Sequence, residues 1–279
     1  MSTTLTLLGT AGGPTPKTRR SSPAQVISVD GDAYVIDCGN CVAKQYVKAG
    51  FSFKQLRSVF LTHHHSDHNA DYGNLLLLGW GANLSHAVTT HGPPPIAAMT
   101  RDFLKLNRVD IETRIADEGR PPLEPLIKPH EITAPGVVLQ TDKLTVTATL
   151  VDHPPFEVAL AYRFDTPDRS IVISGDTTES PALIELAQGA DILVHEVLYE
   201  PALDWILART TGTDLRQHLL NSHTTADRVG AVAQAANVKT LVLSHFVPTD
   251  ADISDEQWHA EASRGFDGEV IVGSDLLTL

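Results

Sequence analysis

The segment "FLTHHHSDHNADYG", residues 60–73, decides what kind of fold this chain can adopt. Its "FL" completes an apolar run that predicts a buried strand. An H-x-H-x-D-H pattern then follows at His63, His65, Asp67 and His68. Imidazole nitrogens and carboxylate oxygens are ligands that divalent metals such as zinc accept readily. Two histidines at this spacing can converge on one ion while the next two side chains point at a neighbouring site. The segment therefore predicts a metal centre at the end of a strand.

Polar residues also close four other strand-like runs. His153 ends "TATLVDH", Asp176 ends "IVISGD", His195 ends "DILVH" and His245 ends "LVLSH". A single histidine in such a place is usually a structural residue with satisfied hydrogen bonds. Buried ionisable groups are costly unless they are paired or bind a metal, so this many strand ends of one kind favour a shared metal site.

Composition narrows the other possibilities. The 279 residues carry a formal net charge of −13, which repels phosphate backbones overall and argues against a nucleic-acid substrate, although it does not exclude a local basic groove. No stretch is long and apolar enough to predict a membrane span, and "MSTTLTLLGTAGG" looks like a first strand, so we expect a cytoplasmic protein. Cys38 and Cys41 cannot complete an all-thiolate zinc site, and we expect two reduced thiols.

The chain alternates short strands with helices, in two β-rich halves that are separated near residues 120–135. This pattern predicts an α/β protein in which two sheets form a sandwich with helices outside. Residues 93–135 contain eight prolines and a helical pattern over 96–109, and we interpret them as an insertion. A second helical excursion is predicted at 199–219.

These motifs, in this order, resemble the metallo-β-lactamase superfamily, and within it the ribonuclease Z-like branch. The resemblance rests on "VIDCG", "THHHSDH", "SGDT", "ADILVHE" and "HTTADRVGAVAQAANVKTLVLSHF", and it covers nearly the whole chain. It implies a four-layer αββα sandwich, with residues 1–279 as a single domain that carries the insertion at about 93–135. A homodimer is common in this branch, so the resemblance also allows one here.

The resemblance further implies a dinuclear metal site in which a hydroxide that bridges the two ions attacks the substrate. The ligands would be His63, His65 and His153 on one ion, Asp67, His68 and His245 on the other, and Asp176 on both. Zinc suits these donors best, and manganese or iron fits the same set. Asn69 and Asp71 are candidates for orienting the ligand histidines, and His64 is expected to point away from the site.

Three residues are candidates for catalysis. Asp67 could orient or deprotonate the nucleophile. By resemblance, Glu196 would orient His223, which would donate a proton to the leaving group or stabilise an oxyanion. The alternative for His223 is a structural histidine at a helix start. The "HE" step continues here as Val197-Leu198, which departs from the family pattern and weakens the inference for Glu196 and for His195.

The substrate prediction depends on what the chain lacks. The branch usually carries a long arm that grips tRNA, between the third metal histidine and the bridging aspartate, and here two strands and a turn fill the 23 positions from His153 to Asp176. We therefore expect a small-molecule substrate, an organic ester or lactone, with a lactonase or esterase activity. Arg19 and Arg20 could contact an anionic group, and the apolar candidates for the pocket wall are Trp80, Phe103, Phe156, Leu203 and Trp205. The alternatives are a phosphodiesterase or ribonuclease Z-like nuclease, and a non-catalytic binding protein.

Overall fold

The computed structural model describes residues 2–279, which form two β-sheets packed face to face with helices on both outer surfaces. This is the four-layer α/β sandwich of the metallo-β-lactamase fold that the sequence predicted. The division between the two sheets falls between residues 131 and 136, inside the predicted boundary. Within the described residues, no helix combines the length and the apolar character that crossing a bilayer requires.

The first sheet has six strands in sequence order. They are β1 (Thr3–Gly9), β2 (Ala24–Val29), β3 (Asp32–Ile36), β4 (Leu56–Phe60), β5 (Val88–Gly92) and β6 (Ile127–Glu131). Strands β1 to β3 are antiparallel, and β3 to β6 run parallel to one another. The loops that follow β3 and β4 therefore leave from the same edge of the sheet.

The second sheet has seven strands, again in sequence order. They are β7 (Gly136–Gln140), β8 (Thr145–Leu150), β9 (Leu160–Asp165), β10 (Ser170–Ile173), β11 (Ile192–Leu198), β12 (Thr240–Val247) and β13 (Glu269–Val272). Strands β10 to β13 are parallel, and β9 is antiparallel to both of its neighbours, so β8 points the same way as β10. The chain leaves β8, β10 and β12 at one edge.

Ten α-helices within residues 2–279 cover the two sheets. Those of the first half are α1 (Val42–Lys48), α2 (Ser66–Asn69), α3 (Tyr72–Gly81), α4 (Ile96–Leu106) and α5 (Arg108–Glu118). Those of the second half are α6 (Pro181–Leu186), α7 (Leu203–Leu207), α8 (Leu215–Ser222), α9 (Ala226–Ala235) and α10 (Asp255–Ala262). Short 3-10 turns occupy 124–126 and 200–202.

Three apolar layers hold the sandwich together. The middle layer lies between the sheets, where Phe60 of β4 meets Tyr162 and Phe164 of β9 edge-on with ring centroids 5.3 Å apart. One outer layer packs α1, α3 and α4 on the first sheet, and the other packs α6, α9 and α10 on the second. Because alternate strand residues face opposite layers, both sheets read as almost continuously apolar, as buried parallel strands do.

The predicted insertion is less separate than the sequence suggested. The helix expected over 96–109 ends at Leu106, and a second helix, α5, starts at Arg108. Strand β6 lies inside the segment and pairs with β5, so the insertion also completes the first sheet. The predicted excursion at 199–219 contains α7 and most of α8. The domain assignment over 1–279 stays a prediction.

Candidate active site

Five chain segments meet at the edge where the two sheets release their loops. The loop after β4 and helix α2 supply His63, His65, Asp67 and His68, while His153 and Asp176 follow β8 and β10. His245 lies inside β12, where the pairing with β11 skips it: Ser244 opposes Glu196, and the next residue in register is Phe246. With φ at 49°, His245 is the extra residue of a β-bulge. A bulge re-aims its side chain, which explains how a residue of a paired strand reaches the site.

Three histidine nitrogens converge in the first group of side chains. His63 Nε2 lies 3.0 Å and His153 Nε2 lies 3.1 Å from Nδ1 of His65. Asp176 Oδ2 is 3.8 Å from His63 Nε2 and 4.0 Å from His153 Nε2. Ligand atoms of one ion with nitrogen bonds of about 2 Å stand at such separations, because they share a centre.

A second group lies directly beside the first. His245 Nε2 is 3.3 Å from Oδ2 of Asp67 and 3.3 Å from Oδ2 of Asp176. His68 Nε2 is 3.7 Å from Asp67 Oδ2 and 3.4 Å from Asp176 Oδ1. Asp176 therefore contacts both groups through its two oxygens. All seven residues predicted as ligands are brought together, in the division predicted, and their role as ligands stays a prediction.

Other contacts fix the orientation of these side chains. Asp37, at the end of β3, accepts a hydrogen bond from His68 Nδ1 at 2.8 Å, and the carbonyl of Ser222 accepts one from His153 Nδ1 at 2.7 Å. The backbone N–H of Gly13 donates to Asp67 Oδ2 at 2.8 Å. In metal sites the second ring nitrogen of a ligand histidine is typically held by a carboxylate or carbonyl in this way.

Electrostatics in the cluster favour neutral imidazoles at His63 and His65 and ionised carboxylates beside them. Burial lowers the pKa of His63 well below its ordinary value and that of His65 to about 4. Burial alone would raise the pKa of Asp176, but His245 and His68 outweigh it and hold that pKa well below the ordinary range. Neutral nitrogens and charged oxygens are the forms that bind a cation. For His68, burial would lower the pKa, but the Asp176 and Asp37 carboxylates outweigh it and raise that pKa well above the ordinary value, so this ring would give up a proton when it binds a cation.

Two atoms in the centre of the cluster have no hydrogen-bond partner among residues 2–279. They are His68 Nε2 and Asp176 Oδ1, both buried. An unsatisfied buried polar atom is costly, and two that face each other at 3.4 Å are explained by an ion between them. The residues present thus fit divalent cations, and together with the fold they indicate divalent metal binding.

Glu196 and His223 form a buried pair next to this cluster. His223 Nδ1 donates to Glu196 Oε1 at 3.0 Å, and the same oxygen accepts the backbone N–H groups of Thr177 and Thr224 at 3.2 Å each. Burial disfavours a protonated His223, but the Glu196 carboxylate raises its pKa to about 9. His223 also lies 4.0 Å from Asp176. The pair predicted by resemblance is therefore in contact, and its catalytic role stays a prediction.

Several other predicted residues serve the fold. His64 bonds the carbonyl of Pro93 and lies beside Asn69, so Asn69 orients a histidine outside the cluster. Asp71 accepts the backbone N–H of Cys41 instead of contacting a ligand histidine. His195 donates to the carbonyl of Glu196 and belongs to neither metal group. The sequence missed Asp37, although it ends a buried strand like the other site residues.

The mouth of the site is a cavity of about 180 Å³. Helix α8 forms one wall with Leu215, His218 and Leu219, and the ring of His218 lies 5.9 Å from that of His65. Phe156, a predicted wall residue, packs edge-on against His65 with ring centroids 4.6 Å apart but is not among the residues that line the cavity. The other predicted wall residues do not line this cavity: Trp80 and Leu203 are fully buried in apolar layers, Phe103 covers Gly73, and Trp205 stacks under Arg209.

Comparison with known proteins places the chain in a family. A family model described as the beta-lactamase superfamily domain matches residues 33–246, which include all seven clustered residues. The chain belongs to the beta-lactamase superfamily. Within this superfamily, an identity of 34% to a Ribonuclease Z over 98% of the chain makes it a member of the ribonuclease Z-like branch, and it is a metal-dependent hydrolase.

The relatives that are most similar in sequence carry one name. The Ribonuclease Z of Mycobacterium bovis BCG Pasteur is 34% identical over 275 residues, which are 98% of this chain and 96% of that protein. The Ribonuclease Z of Mycolicibacterium gilvum is 31% identical over 98% of this chain and 94% of its own length.

Among solved structures, human tRNase Z, short form, aligns over 99% of this chain and 98% of its own, with a TM-score of 0.72 and 20% identity. The YhfI protein of Bacillus subtilis covers 100% of both chains, with a TM-score of 0.72 and 19% identity. At these identities the structures show the fold.

The ester or lactone substrate predicted from the sequence is wrong, because the full-length relatives are ribonucleases. The cavity agrees: at about 180 Å³ it is smaller than the roughly 300–1,000 Å³ that encloses a small organic ligand. The expectation that nucleic acid is an unlikely substrate is also wrong. Net charge is a sum over the chain, whereas a second cavity, of about 340 Å³, is lined by four basic residues and one acidic residue: Lys17, Arg19, Arg20, Lys48 and Asp275.

The family match leaves other expectations as they were. The homodimer and the cytoplasmic location stay predictions, and so does the choice of zinc. Of the two arginines considered for an anion, Arg20 is engaged in the fold, since it donates to Thr10 and to the carbonyl of Gly273 and covers the ring of Phe246. Arg19 is exposed.

Proposed function

We propose that this protein is a ribonuclease Z-like nuclease that hydrolyses a phosphodiester bond in RNA at a two-metal centre. The observation that carries the proposal is the 34% identity to Ribonuclease Z over 98% of the chain, which spans every segment that contributes to the cluster. The substrate follows from the relatives, and the catalytic residues follow from the geometry.

Seven side chains would hold the ions. His63, His65 and His153 would bind one, Asp67, His68 and His245 would bind the other, and Asp176 would contact both. The donors are nitrogen and oxygen, which suits zinc and also accommodates manganese or iron. Two such ions would polarise the scissile phosphate, neutralise its developing charge and make an attacking water more acidic.

Asp67 and His223 are the side chains that would orient the attacking water and transfer the proton. Asp67 is fixed by the Gly13 N–H at 2.8 Å and would orient the attacking water from one side of the cavity. His223 lines the same cavity, and Glu196 holds its Nδ1–H, which leaves Nε2 to deliver a proton to the leaving oxygen. The Glu196 carboxylate keeps that proton available at neutral pH.

The shape and charge around the site support a strand as substrate. A cavity of about 180 Å³ has room for a phosphate and its neighbouring sugar, while the rest of a larger substrate stays outside. Lys17 lines the second, largely cationic cavity and is near enough to Asp67, which lines the first, for the two charges to interact. Cations beside the catalytic groups provide a local path for a phosphate backbone on a chain whose net charge is negative.

The test is cleavage of a 5′-labelled RNA hairpin with a single-stranded 3′ extension by the metal-loaded protein. We expect site-specific cleavage that chelation abolishes and zinc or manganese restores. His65→Ala should remove both bound metal and cleavage, whereas its neighbour His64→Ala should keep both and serves as the matched control. Hydrolysis of p-nitrophenyl acetate without any RNA cleavage would refute the proposal.

A further inference from the structure

His218 stands at the mouth of the site without belonging to either group of predicted ligands. It is half-buried on α8, and its ring lies 5.9 Å from the ring of His65, 6.2 Å from His223 and 6.3 Å from His153. Among the described residues, His218 is in none of the groups of side chains whose ligand atoms could hold one ion, and its place beside those groups suits a residue that contacts a substrate held next to the cluster. With Leu215 and Leu219 it forms the α8 wall of the cavity.

The helix that carries His218 is fixed in the fold. A small apolar cluster anchors α8 through Leu219, which packs with Leu198 at the end of β11, Leu203 of α7 and Val247 of β12. The C-terminal end of α8 is tied to the site itself, because Ser222 accepts from His153 through its carbonyl and donates its hydroxyl to the carbonyl of Pro154. His218 is therefore presented at a defined place relative to the predicted ligands.

One side of the His218 ring is available to a ligand. Its Nδ1 lies 3.4 Å from the hydroxyl of Ser222, which donates its own proton to Pro154. Because 3.4 Å is beyond the usual range for a hydrogen bond, Nδ1 need not hold the ring proton, and Nε2, which takes part in no hydrogen bond within residues 2–279, can carry it. His218 lines the same cavity as His65, Asp67 and His245, next to the position where a scissile phosphate would meet the cluster. A phosphate next to the one under attack would thus meet this nitrogen.

We propose that His218 is a substrate-binding residue that donates a hydrogen bond from Nε2 to a phosphate oxygen adjacent to the scissile phosphate. The inference rests on the proposed function and adds one contact to it, between the substrate and the α8 wall of the cavity. It distinguishes a polynucleotide substrate from a substrate with a single phosphate, since the second kind has no neighbouring phosphate to offer.

The experiment compares His218→Ala and His218→Gln with the parent protein in the metal-loaded state. Gln217→Ala, on the exposed face of the same helix, is the control for effects on α8. A labelled RNA with one scissile bond and bis-p-nitrophenyl phosphate are the two substrates. Binding of a phosphorothioate RNA by fluorescence anisotropy provides a readout without turnover, and metal content is measured on every sample.

For the alanine variant we expect RNA kcat/KM to fall about tenfold, mainly through KM, and the anisotropy Kd to rise about tenfold, the effect of losing one hydrogen bond to a charged group. Glutamine keeps an N–H donor and should recover part of the loss. Metal content should stay within about twofold of the parent, because His218 is not a predicted ligand. The kcat/KM on bis-p-nitrophenyl phosphate should also stay within about twofold, because this substrate has only one phosphate and cannot make the proposed contact.

Each other result counts against the inference. Loss of metal would make His218 a ligand or a structural support of the site. An equal loss of kcat/KM on both substrates would make His218 part of the catalytic machinery. Unchanged RNA binding and cleavage would show that His218 does not contact the substrate. A parent protein that neither binds nor cleaves RNA would overturn the proposed function and this contact together, whereas RNA cleavage that is insensitive to His218 would overturn only the contact.

Discussion

Asp37 provides a sharp test of the site, because its contact with His68 was visible only in the fold. Its carboxylate is 2% exposed, accepts His68 Nδ1–H at 2.8 Å through Oδ2, and accepts the Thr62 N–H at 2.8 Å through Oδ1. In Asp37→Asn, either the amide keeps the Thr62 bond and turns its NH₂ toward the Nδ1–H of His68, or it flips and loses Thr62. In the first case two donors face each other, and the imidazole loses the acceptor that fixes its tautomer.

The magnitude follows from what such contacts contribute elsewhere. Removing a partner of a ligand histidine typically costs 10–100-fold in metal affinity, which corresponds to about 1.4–2.7 kcal/mol. The buried hydrogen bond itself contributes on the order of 1–3 kcal/mol when one partner is left unsatisfied. We therefore expect weaker binding at the ion next to His68, and a lower melting temperature of the metal-free protein.

The assay is competition for zinc against a chromophoric chelator of known affinity, with thermal unfolding of the metal-free form alongside. Asp71→Asn is the matched control: it comes from the histidine-rich segment, yet its carboxylate caps Cys41 instead of a ligand histidine. Its zinc affinity should remain within about twofold of the parent. Equal zinc affinity in Asp37→Asn and the parent would refute the reasoning that this carboxylate orients a ligand.

Three further predictions use other parts of the molecule. In Gly12→Ala the new Cβ would stand 2.9 Å from the ring of His245, so we expect elemental analysis to give about one ion per chain instead of two. Glu196→Gln should leave metal content intact and lower kcat, with the loss growing toward alkaline pH, because His223 loses the charge that raises its pKa; a pH–rate profile checks this. Burial lowers the pKa of His91 to about 4, below the unfolded value of about 6.5, so the unfolded state binds the proton first and stability falls as pH drops through that window. Because other buried histidines titrate in the same window, urea unfolding should show a loss of stability between pH 7 and pH 5 in both proteins, smaller by about 2 kcal/mol in His91→Gln than in the parent.

The sequence predicted which side chains come together because they lie at strand ends, and their roles stay predictions. A hydrophobic run followed by a histidine or aspartate is a local signal, and parallel strands collect such ends at one edge of a sheet. Asp37 carries the same signal after β3, and its contact with His68 depends on the β3–β4 pairing, which is a long-range property. His245 was predicted as a strand end, whereas β12 continues two residues beyond it and a bulge turns it inward.

The substrate could not be read from composition, because composition averages over the surface. A net charge of −13 hides the cations that Lys17, Arg19, Arg20 and Lys48 gather at one place. The residues that line the cavity could not be predicted from the sequence either. Aromatic residues with suitable chemistry, such as Trp80, pack inside a layer, while α8 reaches the site through contacts with residues far away in the sequence.

The central claim is that two ions share the cluster, one on each side of Asp176. Anomalous diffraction from crystals grown with zinc, recorded above and below its absorption edge, tests this most directly. We predict two peaks per chain: one among His63, His65 and His153, and one among Asp67, His68 and His245. A single peak, or peaks only at surface residues, would contradict the account.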